Sequence, residues 1–489
     1  MADFFYFEIL PFIRTWFWIP LSIIYIGIIV TILIENRHPN KTISWILVIL
    51  ALPIVGIALY YLFGQKFLKV KSFREKNTDL FKIFSSYWEE NSEQFRKNLT
   101  FVEEKIGPLH KVFKYLMLQK VSPPCLNNEV ELLINGNEKF PKLIEHLKKA
   151  KYSILMEYYI FELDHIGKEI IELLISKARE GLEVKLLVDG FGSPQLSRKL
   201  SKLEKAGVEC EVFLPVSITS LANSNYRNHR KLCVIDGEVG FLGGINISDR
   251  YINKDNHPFI WRDTSVLVRG SVLDRMLKSF WHDWIFSGGK PYTPKKYIPQ
   301  EFASDSDSTF VAMVNSDPGS PSPYNLEALL VAISEAREEI QLCTPYFIPS
   351  DELTSALQIA AGLGVKVRLM LPEKGDSYIV QHASMSFLKP LLIKGVEVYL
   401  YKEGFLHAKT ALIDGKLAFV GTVNLDTRSF FINFESSLVI VDEKLCAELQ
   451  EQFEKDMLKS YKLDIDGWMG RSKWNRGLDS VCRLFAPLL

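Results

Sequence analysis

The 489-residue sequence predicts an α/β protein: two sandwich domains related by pseudo-twofold duplication, preceded by a two-helix transmembrane hairpin. Three observations predict it. Two uncharged, strongly apolar runs lie near the start of the chain, Trp16 to Ile34 and Ile43 to Phe63. A 21-residue stretch beginning at Asn228 returns in recognisable form 178 positions later. Around each copy, short β-branched runs alternate with helical stretches, the order expected of α/β units with a largely parallel sheet. Composition removes other classes. With 47% hydrophobic and 24% charged residues the chain is not disordered. Its 58 basic and 58 acidic residues leave no surplus for gripping nucleic acid. Six scattered cysteines lack metal-ligand spacing and read as buried thiols.

In chain order, residues 1–65 make the hairpin, with helices at about 16–34 and 43–63. At about 1.5 Å per residue, 21 residues span roughly 31 Å, the thickness of a bilayer's hydrocarbon core. Between the runs, Glu35 to Thr42 is polar and long enough only for a tight turn. Lys66, Lys69, Lys71, Arg74 and Lys76 crowd just past the second run, while the turn carries Arg37 and Lys41. The positive-inside bias therefore sets both termini, and the bulk of the chain, on the cytoplasmic side of a membrane. Residues 66–127 are charged and helical in pattern, a juxtamembrane linker without evident chemistry.

The first α/β domain is placed at 128–290 and the second at 324–489. A Pro-, Ser- and Asp-rich surface connection fills 291–323. In each copy a helix (Leu143 to Lys149; Leu326 to Arg337) precedes an apolar strand (Ile154 to Phe161; Ile340 to Phe347). A second helix and a second strand follow (Val184 to Val188; Val365 to Leu371). The repeated stretch is NHRKLCVIDGEVGFLGGINIS (Asn228 to Ser248) in one copy and LHAKTALIDGKLAFVGTVNLD (Leu406 to Asp426) in the other. His229, Lys231, Asp236 and Asn246 thereby match His407, Lys409, Asp414 and Asn424. Chance supplies roughly 0.13 His-x-Lys-x4-Asp matches at this composition; the chain has two, each with Gly-[Gly/Thr]-x-Asn downstream.

The spacing has a physical reading. His and Lys two apart on a strand point to one face. Asp-Gly then turns the chain into a second strand, whose end sets the Asn beside the same His and Lys. Two such units facing each other converge two His, two Lys and two Asn on one pocket. That pocket suits a phosphodiester: Lys and Asn hold the non-bridging oxygens, one His attacks phosphorus, and the other protonates the leaving alkoxide. Asp236 and Asp414 belong to the repeated signature, but their strand-end position suits bracing rather than contact with phosphorus. No metal-ligand set is visible.

These motifs resemble the phospholipase D superfamily and, more closely, its bacterial cardiolipin synthases. The resemblance runs over nearly the whole chain: LPIVGIALYYLFGQ, NYRNHRKLCVIDGEVGFLGGINISDRY, WRDTSVLVRG, FWHDW and YKEGFLHAKTALIDGKLAFVGTVNLDTRSFFINFES. It implies two phospholipase D-like domains and phosphatidyl transfer between two phosphatidylglycerols, giving cardiolipin and glycerol through a phosphatidyl-histidine. It further implies no cofactor, and a place in the bacterial cytoplasmic membrane with phosphatidylglycerol as donor and acceptor. An acidic residue some thirty positions after each His orients it through Nδ1; Asp263 (34 after His229) and Glu435 (28 after His407) stand at those places. The resemblance makes His229 the nucleophile and His407 the general acid. One departure is Thr422 where the first copy has Gly244, an exchange that adds a hydroxyl near the pocket.

The remaining features carry weaker readings. His38, His110, His146, His165, His257, His282 and His382 lack any such context and read as surface or satisfied core residues. Asp376 and Ser377 follow a strand end, where sheet proteins bind ligands, or form an ordinary turn. Tyr158, Tyr159, Tyr346 and Phe347 read as core strand residues, the first of each pair able to rim the site. The tail from Gly467 mixes Trp468, Trp474 and Phe485 with Arg471, Lys473, Arg476 and Arg483, which suits an amphipathic helix on a membrane surface. A hydrolytic phospholipase D would carry the same residues, differing only in using water as acceptor. A nuclease would want a basic groove.

Overall fold

The structure is a computed structural model; it describes residues 16, 18–34, 39–60, 92–215, 225–254, 259–290 and 309–486. Two compact units are present, the N-terminal helices and the body from residue 92 onward.

The N-terminal unit contains α1 (Trp18–Ile34), α2 (Pro39–Ala51) and α3 (Pro53–Leu59). The second apolar run was expected to be one helix to residue 63. It breaks at Leu52 (φ −126°, ψ 77°), because the ring of Pro53 disfavours the helical conformation of the residue before it. Ile28, Ile32, Ile49 and Tyr60 pack together, while Ile23, Ile26, Leu33, Leu47 and Ile54 are exposed. Among the described residues no helix is long and apolar enough to cross a membrane. The basic cluster from Lys66 to Lys76 lies outside the described residues.

Two sheets organise the body. The first copy contains β1 (Asn128–Ile134), α6 (Asn135–Lys149), β2 (Ser153–Tyr158), α7 (His165–Arg179), β3 (Glu183–Asp189), β4 (Glu209–Phe213), β5 (Lys231–Ile235), β6 (Val239–Gly243), β7 (Ile260–Arg262), β8 (Thr264–Gly270) and α8 (Leu273–Phe286). Ahead of it run α4 (Ser92–Ile106) and α5 (Lys111–Leu118). The second copy contains β9 (Phe310–Ser316), α9 (Tyr324–Glu335), β10 (Glu339–Cys343), β11 (Phe347–Ile348), α10 (Asp351–Gly362), β12 (Lys366–Pro372), α11 (Tyr378–Ser386), β13 (Glu397–Tyr401), β14 (Gly404–Leu406), β15 (Thr410–Ile413), β16 (Leu417–Gly421), β17 (Leu425–Asp426), β18 (Glu435–Val441), α12 (Glu443–Leu458), β19 (Ser460–Lys462) and α13 (Lys473–Arg483).

The sheets run β1-β8-β6-β5-β2-β3-β4 and β19-β13-β12-β10-β15-β16-β18-β9. A largely parallel sheet was expected. Within these two sheets, among the described residues, only β2-β3-β4 and β10-β12-β13 are parallel; the Asp-Gly hairpins fold β6 and β16 back, so the other half of each sheet is antiparallel. At both hairpins Asp and Gly take positive φ (Asp236 54°, Gly237 67°; Asp414 50°, Gly415 64°), which a two-residue turn matching the strand twist requires.

Two boundaries move. The connection was expected to reach residue 323, but β9 begins at Phe310 and pairs with β18 along its whole length. Its alternation is masked because nearly every side chain of the strand is buried. The expected linker up to 127 is likewise part of the body where it is described. Val102, Ile106, Leu109, Val112, Phe113 and Leu116 recur at helical spacing and enter the core of the second copy, beside Phe310 and Leu329. Residues 66–91 and the connection at 291–308 lie outside the described residues.

Candidate active site

The two copies meet through the strands that carry the site. β14, which leads into His407, pairs in parallel with β7 of the first copy. The residues before His229 likewise lie along the segment before β18, with Asn228 opposite Phe434. Main-chain bonds fix both histidines: His229 N donates to Phe434 O (2.9 Å) and His407 N to Arg262 O (2.7 Å).

Each histidine was expected to be oriented by the carboxylate of its own copy. The structure exchanges them. His229 Nδ1 lies 2.9 and 3.1 Å from the two oxygens of Glu435, and His407 Nδ1 lies 2.6 Å from Asp263 Oδ2. The cause is the pairing just described: the strand entering Asp263 runs beside the strand entering His407, and the strand entering Glu435 beside that entering His229. Both carboxylates are fully buried. With Nδ1–H directed at a carboxylate, each imidazole presents its Nε2 to the pocket.

Lys231 Nζ donates to His229 O (2.6 Å) and Lys409 Nζ to His407 O. Each lysine thus curls beside the histidine of its own strand. The two halves also sense each other: His229 feels the Lys409 charge and His407 feels that of Lys231. Each lysine is thus near enough to act on the histidine of the other half. Burial depresses every one of them. The His407 imidazole is pushed down to about 3, its neighbour Lys409 adding to the burial cost while Asp263 opposes it. His229 is lowered as well, by burial against the pull of Glu435. Lys409 falls to about 8, and burial takes Lys231 well below the usual lysine range. Burial pushes the two carboxylates up, but Lys409 and the His407 hydrogen bond at Asp263, and His229 with Lys231 at Glu435, overcome it and both end below their usual range. Burial therefore favours neutral imidazoles beside ionised carboxylates and loosens the lysine protons, a pattern that an anion between them would complement.

The asparagines differ. Asn246 Oδ1 accepts from Ile160 N (3.1 Å) and its Nδ2 donates to the Tyr251 hydroxyl (2.8 Å). The buried Asn424 Oδ1 has no hydrogen-bond partner among the described residues, so that amide is the less engaged of the two. Asp236 and Asp414 sit at the far ends of β5 and β15. Asp236 accepts from the N–H groups of Lys151, Tyr152 and Ser153 at 2.7–2.8 Å. Asp414 accepts from Arg337, Glu338 and Glu339 at 2.8–2.9 Å. Each pins its hairpin to the start of the neighbouring strand. Neither comes near the histidines: four or five strand residues at about 3.3 Å each lie between.

Thr422 is more than an added hydroxyl. Its Oγ1 donates to Glu435 Oε2 (2.5 Å). At Gly244 a Cβ would lie 2.2 Å from Asp263 Oδ1. The shorter Asp263 needs the space that Gly244 leaves, and the longer Glu435 takes a hydroxyl there.

Aromatic residues wall the pocket. Tyr159 meets His229 edge-on (5.1 Å), with Lys231 Nζ 5.4 Å from its ring centroid. Trp261, Tyr251 and Phe405 surround His407 at 5.6–6.0 Å. In the first pair the rim residue is therefore Tyr159, the second member; Tyr158 is fully buried. Tyr346 donates to Asp376 (2.7 Å), whose charge reaches Lys409. Of the remaining histidines, His282 and His382 are held by Asp283 and Asp479.

Two further repeats escaped the sequence reading. Arg250 and Arg428 both stand four after the motif asparagines; the Arg250 guanidinium lies over Trp261 (5.5 Å), and Arg428 senses Glu435 and Tyr159. FWHDWIFS at Phe280 also matches FEKDMLKS at Phe453, pairing Asp283 with Asp456 and Ser287 with Ser460. An alignment of the two copies past the Asn would have found both.

Comparison with known proteins follows the same lines. A family model described as cardiolipin synthase, PLD-like domain, matches residues 143–284 and 329–457. A second, phospholipase D-nuclease N-terminal, matches residues 23–65. The cardiolipin synthase of Alkalihalophilus pseudofirmus is 37% identical over 474 residues, 96% of this chain and 92% of that one. That of Halalkalibacterium halodurans is 37% identical over 477 residues, covering 96% and 93%. Among solved structures, phosphatidylserine synthase of Haemophilus influenzae superposes with a TM-score of 0.60 at 15% identity, over 77% of this chain and 97% of that one. This last likeness is one of fold.

Proposed function

The chain belongs to the cardiolipin synthase family of phospholipase D-like enzymes and is a phosphatidyltransferase; we propose that it transfers phosphatidyl from one phosphatidylglycerol to another through His229. The observation that carries this reading is the crosswise pair of carboxylate-held histidines with a lysine beside each. His229 Nε2 attacks phosphorus of the first lipid. The phosphorus–oxygen bond to the headgroup glycerol breaks, His407 gives that oxygen a proton, and glycerol leaves. His407, now neutral, takes the proton of the terminal hydroxyl of a second phosphatidylglycerol. That alkoxide attacks phosphorus, the phosphorus–nitrogen bond breaks, and cardiolipin leaves with His229 restored. One phosphodiester replaces another, so no nucleotide or other energy source enters.

Lys231, Lys409 and the Asn424 amide hold the non-bridging oxygens, with Asn246 steadying the loop beside them. Burial favours the neutral form of both imidazoles, and the negative charge of the lipid phosphate raises the pKa of His407 so that it takes up its proton with the lipid. Membrane attachment fits the same reading. The N-terminal helices turn Ile23, Ile26, Leu33, Leu47 and Ile54 outward and form a bilayer-embedded hairpin, with the catalytic domains on the cytoplasmic side. In the tail, α13 packs one face on its own domain, Leu478 and Cys482 against Val380, Ala383 and Phe387. It leaves Trp474, Val481, Leu484 and Phe485 exposed beside Arg476 and Arg483, a face for the headgroup layer.

Turnover of phosphatidylglycerol labelled at phosphorus, quenched in alkaline detergent where a phosphorus–nitrogen bond survives, tests the mechanism. Label stays on the wild-type protein and is absent from His229→Ala. Unlabelled protein together with full turnover by His229→Ala would overturn it.

A further inference from the structure

Behind each histidine lies a buried arginine–aspartate pair, and the two pairs are built differently. In the half that holds His229, the aspartate is Asp283 on α8 and the arginine is Arg230, the residue between the motif His and Lys. Arg230 Nη1 donates to Asp283 Oδ2; its Nε reaches Glu435 O (3.3 Å) and its Nη2 reaches Ser316 O (3.4 Å) of the other copy. Its guanidinium lies 5.6 Å from the Phe434 ring centroid. Asp283 also accepts from Asn228 Nδ2 (3.1 Å), one residue before His229.

In the half that holds His407 the position matching Arg230 is Ala408. The position matching Phe434, which gives its carbonyl to the histidine N–H, is Arg262. Arg262 Nε donates to Asp456 Oδ2 (2.8 Å), and its Nη1 donates to Asp263 O (2.7 Å) and Thr264 Oγ1 (2.8 Å). Asp456 is the repeat partner of Asp283 on α12. Both pairs are buried, with 4% of Arg262 and 2% of Asp456 exposed. The two halves thus keep the helix aspartate and move the arginine. The Arg/Phe combination at positions 230 and 434 becomes Ala/Arg at 408 and 262, so the guanidinium approaches the same kind of carboxylate from the opposite strand.

We propose that the Arg262–Asp456 pair is a positioning device for His407. Arg262 brackets that histidine on three counts: its carbonyl takes the His407 N–H, its neighbour Asp263 takes Nδ1–H, and its side chain ties both to α12 across the boundary between the copies. The aspartate fixes where the strand carrying Asp263 lies relative to the strand carrying His407. A buried pair of this kind stabilises little by itself, but removing one partner leaves a buried charge without its match. The inference deepens the proposed function and rests on its assignment of His407 to proton transfer.

The test is a set of substitutions assayed in phosphatidylglycerol vesicles, with thermal unfolding measured alongside. Arg262→Phe is expected to lower kcat a hundredfold or more with KM changed less than threefold, since the pair touches no phosphate. Ala408→Arg combined with Arg262→Phe copies the arrangement of the other half, and it is expected to recover kcat to within tenfold of wild type. Should Arg262→Phe fail to fold, Asp456→Asn carries the test, with the same split between kcat and KM expected at a tenfold loss. Folded Arg262→Phe or Asp456→Asn with wild-type kcat overturns the proposal, whatever its unfolding temperature. So does a double variant no better than the single one. His407→Ala separates the two readings: if it keeps wild-type turnover, the proposed function fails, whereas inactive His407→Ala beside fully active Arg262→Phe sinks the pair alone.

Discussion

Replacing Asp263 by Asn removes one charge and almost no volume. The amide oxygen can still accept the Thr264 N–H that Asp263 Oδ1 now accepts at 2.7 Å, and the buried site keeps its shape. What is lost is the full charge 2.6 Å from His407 Nδ1. During turnover this imidazole becomes cationic. With charge centres about 4 Å apart and an effective dielectric constant near 20, the attraction is about 4 kcal/mol. With the amide oxygen kept by Thr264, the NH2 group takes the place of Oδ2 and points a donor at Nδ1, so none of this attraction is kept; the loss is about 4 kcal/mol, or roughly 1,000-fold in rate. The loss falls mainly on kcat, because Asp263 does not meet the phosphate. The assay is initial-rate cardiolipin formation in phosphatidylglycerol vesicles over a range of surface concentrations, with unfolding followed in parallel. A folded Asp263→Asn enzyme within threefold of wild-type kcat would refute the reasoning.

Other expectations follow from the same geometry. Glu435→Gln is expected to slow phosphatidyl-enzyme formation by a similar factor while slowing resolution less, as rapid-quench labelling would reveal. Lys409 must be charged to hold phosphate, and its pKa is pushed down to about 8. As pH rises through 8 its proton is lost, and burial lowers Lys231 as well, so kcat/KM should fall roughly tenfold or more per unit beyond that point. The limb in kcat should lie higher, because bound phosphate holds the proton on, and coincident limbs would count against this account. Gly244→Thr copies the other half without its partner; the 2.2 Å approach to Asp263 predicts a loss of about 1–3 kcal/mol in stability and a large fall in kcat, checked by denaturant titration and rate. Asp236→Ala strips three N–H groups of their acceptor and should lower stability by about 2–4 kcal/mol, with kcat of the folded enzyme unchanged.

The duplication and the strand-and-turn setting of His229, Lys231, His407 and Lys409 were legible because strand period and turn chemistry are local. The ownership of the carboxylates was not. Asp263 follows His229 in the chain, yet the partner of each histidine is set by which strands lie side by side between the copies, and sequence order holds no record of that. The exchange of Arg230 and Phe434 for Ala408 and Arg262 was hidden for a related reason: neither 230 with 408 nor 434 with 262 aligns to the same residue type. β9 was missed because a strand buried on both faces lacks the alternation that marks an exposed one. Helices α4 and α5 read as a linker because their many charges mask the stripe from Val102 to Leu116, whose partner lies some 200 residues away in the second copy.

The most direct measurement is product analysis of the purified full-length protein in vesicles of phosphatidylglycerol. The account predicts cardiolipin and free glycerol in equal amounts, and loss of both with His407→Ala. Adding glycerol should drive the reaction backwards. Phosphatidic acid forming without cardiolipin would mean that water, and not a second lipid, resolves the intermediate, and would contradict the claim.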